Sequence, residues 1–145
     1  MASGEGDLGS MIAVQAKQEE VLPIMEEAGL SLVVANKNAP KQIVLSGATE
    51  EVDKARDLLK EKKFRCKKLQ VGAAFRSPLV SSAAKPFRAD LDDVKLAKAS
   101  IPVYANSTGD TYGDEEGEIR DLLGKQLAKP VEFVEMIRKM YESGV

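Results

Sequence analysis

The run Ala74-Phe75-Arg76-Ser77-Pro78 places a serine directly after a cation, and it is the stretch most suggestive of chemistry. A serine hydroxyl attacks an acyl group only when a base accepts its proton and hydrogen-bond donors stabilise the oxyanion. Arg76 cannot be that base, because a guanidinium stays protonated and has no free lone pair. The chain also contains no histidine. We therefore expect no activated serine at Ser46, Ser77 or Ser81, and we assign Ser77 to capping a helix that starts at Pro78.

Composition is that of one ordinary globular domain or two small ones. The chain has 145 residues, 43% hydrophobic residues and a formal net charge of −2, so no overall field favours nucleic acid or membranes. No apolar run approaches the ~20 residues that span a bilayer, and no secretory signal is visible. Cys66 is the single cysteine, which excludes an internal disulfide, fits a cytoplasmic location and, without histidine, argues against a metal site.

The first half of the sequence alternates short apolar strands with amphipathic helices. In chain order we predict a strand over 11–14, a helix over 17–28, strands over 30–35 and 42–45 with a turn over 36–40, a helix from about 49 and a strand over 67–71. Val52, Ala55 and Leu59 form the buried stripe of the second helix. This β-α-β-β-α-β order is the ferredoxin-like unit, with both helices on one face of an antiparallel sheet. We assign it to residues 11–72 and treat residues 1–10 as a flexible tail.

The second half is rich in helices and has one further strand, so the fold class is α/β of the α+β kind. We predict a helix over 78–94 that Pro86 should kink, a strand over 101–105, a polar loop over 106–113, and helices over 116–129 and 131–141.

Five motifs resemble those of one protein family, in that family's order. Along the chain they are MIAV at 11–14, VANKNAPKQIVLSG at 34–47, AFRSP at 74–78, IPVYANSTG at 101–109 and LLGKQLAKPVEF at 122–133. They resemble the acyltransferase domains of the malonyl-CoA:acyl-carrier-protein transacylase family, closest to those of type I polyketide and polyunsaturated fatty acid synthases. The resemblance covers only the second half of that domain, because the serine elbow G-H-S-x-G occurs nowhere in the sequence. Residues 73–145 would then be an incomplete C-terminal part of the acyltransferase core.

This resemblance implies site residues, each with a plainer alternative. Arg76 stands where the family has its catalytic histidine; otherwise it is a solvated arginine at a helix start. Gln126 matches a glutamine that lines the active site and helps position the oxyanion loop, and Asn106 matches an asparagine that supports the histidine. Phe75 matches a position where phenylalanine accompanies malonyl preference. The alternatives are a polar residue on an amphipathic helix for Gln126, a turn residue for Asn106 and a core aromatic for Phe75.

The resemblance also implies substrates and partners. The parent domain would transfer malonyl from CoA to its serine and then to the phosphopantetheine thiol of an acyl carrier protein, without a further cofactor. Partners would be that carrier protein and the remaining half of the domain, with no nucleic acid and no membrane. This chain, without nucleophile or histidine, is expected to be inactive alone.

Two questions stay open at the level of sequence. The basic run formed by Lys60, Lys62, Lys63, Arg65, Lys67 and Lys68 could dock an acidic carrier protein or a CoA phosphate, although a solvated helix end explains it more simply. The alternative function is a non-catalytic ferredoxin-like binding or scaffold module. An RNA-binding module of similar strand order is weaker, because the aromatic pair expected on its central strands is missing.

Overall fold

The computed structural model describes residues 6–77 and 84–145. Within those ranges no helix is long and apolar enough to cross a membrane. The first part folds as a four-stranded antiparallel sheet with strand order β2-β3-β1-β4. Its elements are β1 (Ser10–Val14), α1 (Gln18–Glu27), β2 (Val33–Ala39), β3 (Gln42–Gly47), α2 (Thr49–Glu61) and β4 (Cys66–Lys68). The predicted β-α-β-β-α-β unit is therefore confirmed.

The core of this unit lies between the sheet and its two helices. Ile12 sits on the central strand β1, where it pairs with Leu45 on one side and Lys68 on the other. The residues that close the core are at most 2% exposed: Ile12, Val14, Ile43 and Leu45 from the sheet, Val21 and Met25 from α1, and Val52, Ala55 and Leu59 from α2. The stripe predicted for α2 is thus the buried one. Burial of each valine, leucine, isoleucine or methionine side chain among them contributes about 1.5–3 kcal/mol.

Strand β2 is longer than predicted, and the predicted turn over 36–40 is wrong. The strand runs to Ala39, and only Pro40 and Lys41 separate it from β3. The pairing shifts register between Val34 and Asn36 and again between Lys37 and Ala39. A bulge leaves one extra residue unpaired while pairing continues on either side of it, so β2 extends through the asparagines that the sequence assigned to a turn.

The ends of several elements also differ from the predictions. Ser10, the last residue of the predicted tail, opens β1, and Asp7 binds the start of α2 through the Thr49 main-chain N–H (2.7 Å) and hydroxyl (2.6 Å). Strand β4 ends at Lys68, and Val71 is exposed. Gly29, which follows the C-cap residue Ala28 of α1, has φ +66°, as a helix-terminating glycine does.

The second part is mostly helical, with two short strands. It contains α3 (Ala84–Asp90), a 3-10 turn (Leu91–Asp93), β5 (Tyr104–Ala105), β6 (Asp110–Thr111), α4 (Glu116–Lys125) and α5 (Phe133–Glu142). Part of the helix predicted over 78–94, including its start at Pro78, lies outside the described residues. Its described part, α3, contains Pro86 and ends at Asp90, before the predicted end. The predicted strand over 101–105 is only two residues long, and its partner β6 lies in the predicted polar loop.

Candidate functional site

The turn formed by Ala74, Phe75, Arg76 and Ser77 is anchored by its two ends. Ala74 is fully buried, and its N–H donates to the Leu8 carbonyl at 2.7 Å. The Ser77 hydroxyl, also buried, donates to the Ala74 carbonyl at 2.7 Å. Phe75 and Arg76 face outward, with Phe75 49% exposed and Arg76 half-buried. The turn therefore presents residues 75 and 76 on a fixed base, and Ser77 points into the fold.

The main chain of Arg76 adopts a left-handed conformation, with φ +63°. That region costs of order 1–3 kcal/mol for a residue other than glycine, and such residues cluster at active sites and ligand-binding positions. Asparagine, aspartate and histidine are several-fold enriched in it, and arginine is not. The backbone at position 76 is thus better suited to histidine than to the residue present.

The side chain of Arg76 lies against the end of α4. Its Nη1 donates a hydrogen bond to the main-chain carbonyl of Gln126, the residue that follows α4. Within residues 6–77 and 84–145 no carboxylate forms an ion pair with it. Burial lowers the pKa of the Arg76 guanidinium. The cation is therefore partly desolvated without an acidic neighbour to offset the loss of water.

A cleft of about 590 Å³ opens beside Arg76, between the ferredoxin-like unit and the second part. One wall comes from Gln18, Leu22, Leu32, Val33, Val34 and Lys37, and the other from Arg76, Ala128 and Pro130. Most of these side chains are apolar. Lys37 is engaged elsewhere, because its Nζ lies 2.8 Å from Glu132 Oε1. Arg76 is the one cation of the lining without a carboxylate partner in the described part of the chain.

A strap at residues 130–132 holds the two walls together. The Val131 N–H donates to the Ala35 carbonyl at 2.8 Å, and the Lys37 N–H donates to the Val131 carbonyl at 2.9 Å. The strap thus continues the sheet beside β2 by one parallel bridge, between Asn36 and Val131. On its other side the Glu132 N–H donates to the Asn106 carbonyl at 2.8 Å.

The structure brings together two of the four residues singled out from the sequence. Arg76 and Gln126 meet, although through the main chain of Gln126, and Phe75 lies next to Arg76 with half of its surface in water. Asn106 is exposed, and its carbonyl bonds to the strap. Sequence reasoning missed the apolar cleft wall and the strap. The predicted helix over 131–141 is wrong at its start, because Val131 and Glu132 belong to the strap and α5 begins at Phe133. Pro130 carried a partial signal, since the residue before a proline is biased towards extended backbone and helices usually end there.

Two further features lie away from Arg76. A second cavity of about 550 Å³, bordered by Ile101, Val103 and Tyr112, contains none of the residues singled out from the sequence. Over the described ranges, no three histidine, cysteine or acidic side chains are grouped so that they could hold a metal ion.

Comparison with known proteins identifies the family. The chain matches the acyl transferase domain family over residues 2–145. It belongs to that family. Among curated relatives, the malonyl CoA-acyl carrier protein transacylase of Bacillus subtilis is 34% identical over 145 residues, which are 99% of this chain and 45% of that protein. The polyketide biosynthesis protein PksE, also of Bacillus subtilis, is 32% identical over 142 residues, covering 94% of this chain and 18% of that protein.

Solved acyl transferase structures have the same fold. The malonyl CoA-acyl carrier protein transacylase of Burkholderia pseudomallei superimposes with a TM-score of 0.87 at 33% identity, over 93% of this chain and 47% of that one. The chain thus spans less than half the length of the transacylases it matches. The family predicted from the five sequence motifs is confirmed, and so is the mixed α/β fold class.

Proposed function

We propose that this chain forms part of an acyl transferase that moves a malonyl group from CoA to an acyl carrier protein. It would contribute the ferredoxin-like unit, one side of a substrate cleft and the residue at the position of the family's catalytic base. The serine that carries the acyl group and the arginine that binds its carboxylate would come from a polypeptide equivalent to the rest of the domain. Membership of the acyl transferase family supports this proposal.

The observation that carries the proposal is the contact between Arg76, which lines the cleft, and Gln126. The two residues belong to different motifs and are 50 positions apart in the chain, yet they meet beside the cleft. In the family that the chain resembles, the residue matching Arg76 accepts a proton, and the glutamine matching Gln126 helps position the oxyanion loop. A cleft between two structural units is also a common place for small-molecule binding.

Arg76 changes what such a cleft could do. Transfer begins when a base removes the serine proton, so that the serine oxygen can attack the thioester carbonyl and CoA can leave as the thiol. A guanidinium is a cation that can bind a negatively charged group, but it accepts no proton at neutral pH. We therefore propose that the 145-residue chain, as it stands, performs no acyl transfer.

The first test is intact-mass spectrometry after incubation with malonyl-CoA and a phosphopantetheinylated acyl carrier protein. We expect no malonyl adduct on this chain and no transfer to the carrier. A stable malonyl group mapped to any serine of the chain would contradict the proposal, because it would reveal a nucleophile and a base that we have not identified.

The second test supplies the missing serine. The chain and its Arg76→His variant are each mixed with a polypeptide that carries the G-H-S-x-G serine of this family, and assembly is checked by size-exclusion chromatography. Transfer is expected only from the assembled Arg76→His complex. An assembled Arg76→His complex without transfer would refute the assignment of position 76 as the base.

The carrier protein partner has one structural support. Five cations around the end of α2 are exposed and form no ion pair with another described residue: Lys60, Lys62, Lys63, Arg65 and Lys67. By contrast, Lys68 pairs with Asp53. An exposed cationic surface speeds association with an acidic protein, in a manner that added salt weakens.

The non-catalytic binding module remains the second candidate, and Arg76 is the observation that favours it. If the cleft binds a ligand but catalyses no reaction, an arginine in place of the base does not impair its function. Complex formation without transfer from the Arg76→His variant is the outcome expected of that alternative.

A further inference from the structure

The cleft beside Arg76 combines a single available cation with apolar walls, and this pairing points to a particular class of ligand. We propose that the cleft binds an alkyl carboxylate, with the carboxylate on the Arg76 guanidinium and the alkyl chain against the walls formed by Leu22, Val33 and Ala128. A medium-chain fatty acid anion is the simplest example. This site is independent of acyl transfer, because it needs neither a serine nor a base.

The argument for an anion begins with the arginines of the chain. Four of the six, Arg56, Arg88, Arg120 and Arg138, pair with an aspartate or glutamate, and Arg65 is exposed to water. Arg76 is the half-buried arginine without a carboxylate among the described residues. It uses one of its five N–H groups for the Gln126 carbonyl, so four donors remain for a ligand.

Desolvation gives the anion its energetic advantage. Burial lowers the pKa of Arg76, because partial loss of water disfavours its charged form. A carboxylate that accepts two parallel N–H groups from a guanidinium makes a charge-assisted pair stronger than a neutral hydrogen bond. Loss of either partner would leave a partly buried, unpaired charge. We therefore expect the carboxylate–guanidinium pair to contribute most of the affinity for the ligand.

The apolar walls of the cleft favour an alkyl chain as the remaining part of the ligand. Leu22, Leu32, Val33, Val34, Ala128 and Pro130 supply apolar surface, and the only other cation, Lys37, is paired with Glu132. A strongly hydrated polyanion would lose its water against these walls, and the one other cation there, Lys37, is already neutralised by Glu132. An alkyl chain is stabilised by each CH₂ that leaves water against these walls. The volume of about 590 Å³ falls within the usual range for small-molecule sites.

Isothermal titration of the full chain with sodium octanoate, below its micelle concentration, tests the proposal. We expect saturable binding of one octanoate per chain, and at least tenfold weaker binding of 1-octanol, which has the chain but no charge. Arg76→Gln should weaken octanoate binding at least tenfold. Arg138→Gln, which removes the same charge from an exposed arginine outside the cleft, should leave binding within twofold of the unchanged chain.

A third variant keeps the test decisive if Arg76→Gln fails to fold, which circular dichroism would show. Arg76→Lys retains the charge but not the paired N–H groups, so octanoate binding should fall several-fold and still exceed that of 1-octanol. Equal binding of octanoate and 1-octanol by the unchanged chain would overturn the proposal. So would absence of saturable binding, or undiminished binding by a folded Arg76→Gln variant.

Discussion

The guanidinium of Arg76 donates a hydrogen bond to the main-chain carbonyl of Gln126, although 50 positions separate the two residues. The bond fastens the turn at 74–77 to the end of α4 and fixes residue 76 at the edge of the cleft. Because the acceptor is a main-chain atom, the Gln126 side chain takes no part in it. Whatever Gln126 contributes through its amide is therefore separate from holding Arg76 in place.

Replacing Arg76 by histidine should not create activity in this chain. Histidine suits the left-handed backbone better and supplies a base with a pKa near ~6.5, but the chain has no elbow serine for it to deprotonate. Catalytic groups that act as a unit lose nearly all their effect when one is missing. The measurement is malonyl transfer to a carrier protein, with Arg76→Gln as the matched control. Transfer by the isolated Arg76→His chain would mean that a nucleophile lies elsewhere in these 145 residues.

Replacing Asp7 by alanine should destabilise the chain at neutral pH and lose that effect in acid. Hydrogen bonds from the Thr49 hydroxyl and N–H lower the pKa of the Asp7 carboxyl. A carboxyl whose folded-state pKa is lowered stabilises the fold above its unfolded value of about 3.9, and that stability disappears as pH falls through the folded value. Urea unfolding of both proteins at pH 7 and at decreasing pH measures the difference.

Asp7→Asn is the control for charge, because it keeps an acceptor oxygen for Thr49. We expect its stability to lie between those of the unchanged chain and Asp7→Ala at pH 7, and to vary less with pH. A stability difference between Asp7→Ala and the unchanged chain that did not shrink as the pH was lowered would contradict this account of the interaction.

Two buried serines should respond oppositely to alanine. The Ser46 hydroxyl has no hydrogen-bond partner among the described residues, whereas the Ser77 hydroxyl donates to the Ala74 carbonyl. A buried hydroxyl without a partner costs about 1–3 kcal/mol, so Ser46→Ala should be neutral or stabilising. Ser77→Ala should cost about 1 kcal/mol, because it removes a satisfied hydrogen bond. Chemical unfolding of both variants compares them, and a larger loss for Ser46→Ala would contradict the prediction.

Two glycines should also differ when changed to alanine. Gly109 has φ +67°, and a Cβ there would lie 2.9 Å from Glu135 Cβ and 3.1 Å from the Met136 nitrogen. Gly109→Ala should therefore cost about 1–3 kcal/mol through strain and overpacking at α5. Gly117, inside α4, has open space around it, and Gly117→Ala should gain about 0.4–1 kcal/mol. Thermal unfolding of the two variants should shift in opposite directions, and a shift in the same direction would be a contrary result.

Local sequence patterns were enough to predict the ferredoxin-like unit and the family. Alternating apolar residues and helical stripes are local signals, so β1, β3 and the buried face of α2 could be predicted from residues such as Ile12, Leu45 and Val52. Motif spacing is equally local, which is why the acyl transferase family could be inferred from five short segments. The absence of histidine likewise needed no structure to exclude a histidine base.

How the two parts meet could be learned only from the folded chain. The length of β2 depends on bulges and on the strap at Val131, whose hydrogen bonds join positions about a hundred residues apart. The cleft beside Arg76 exists because β2, α1 and the segment after α4 converge there. The bond from Arg76 to the Gln126 carbonyl likewise joins residues 50 positions apart. Sequence patterns report a residue's own periodicity and turn preference, whereas such contacts depend on packing between distant segments, which no local pattern encodes.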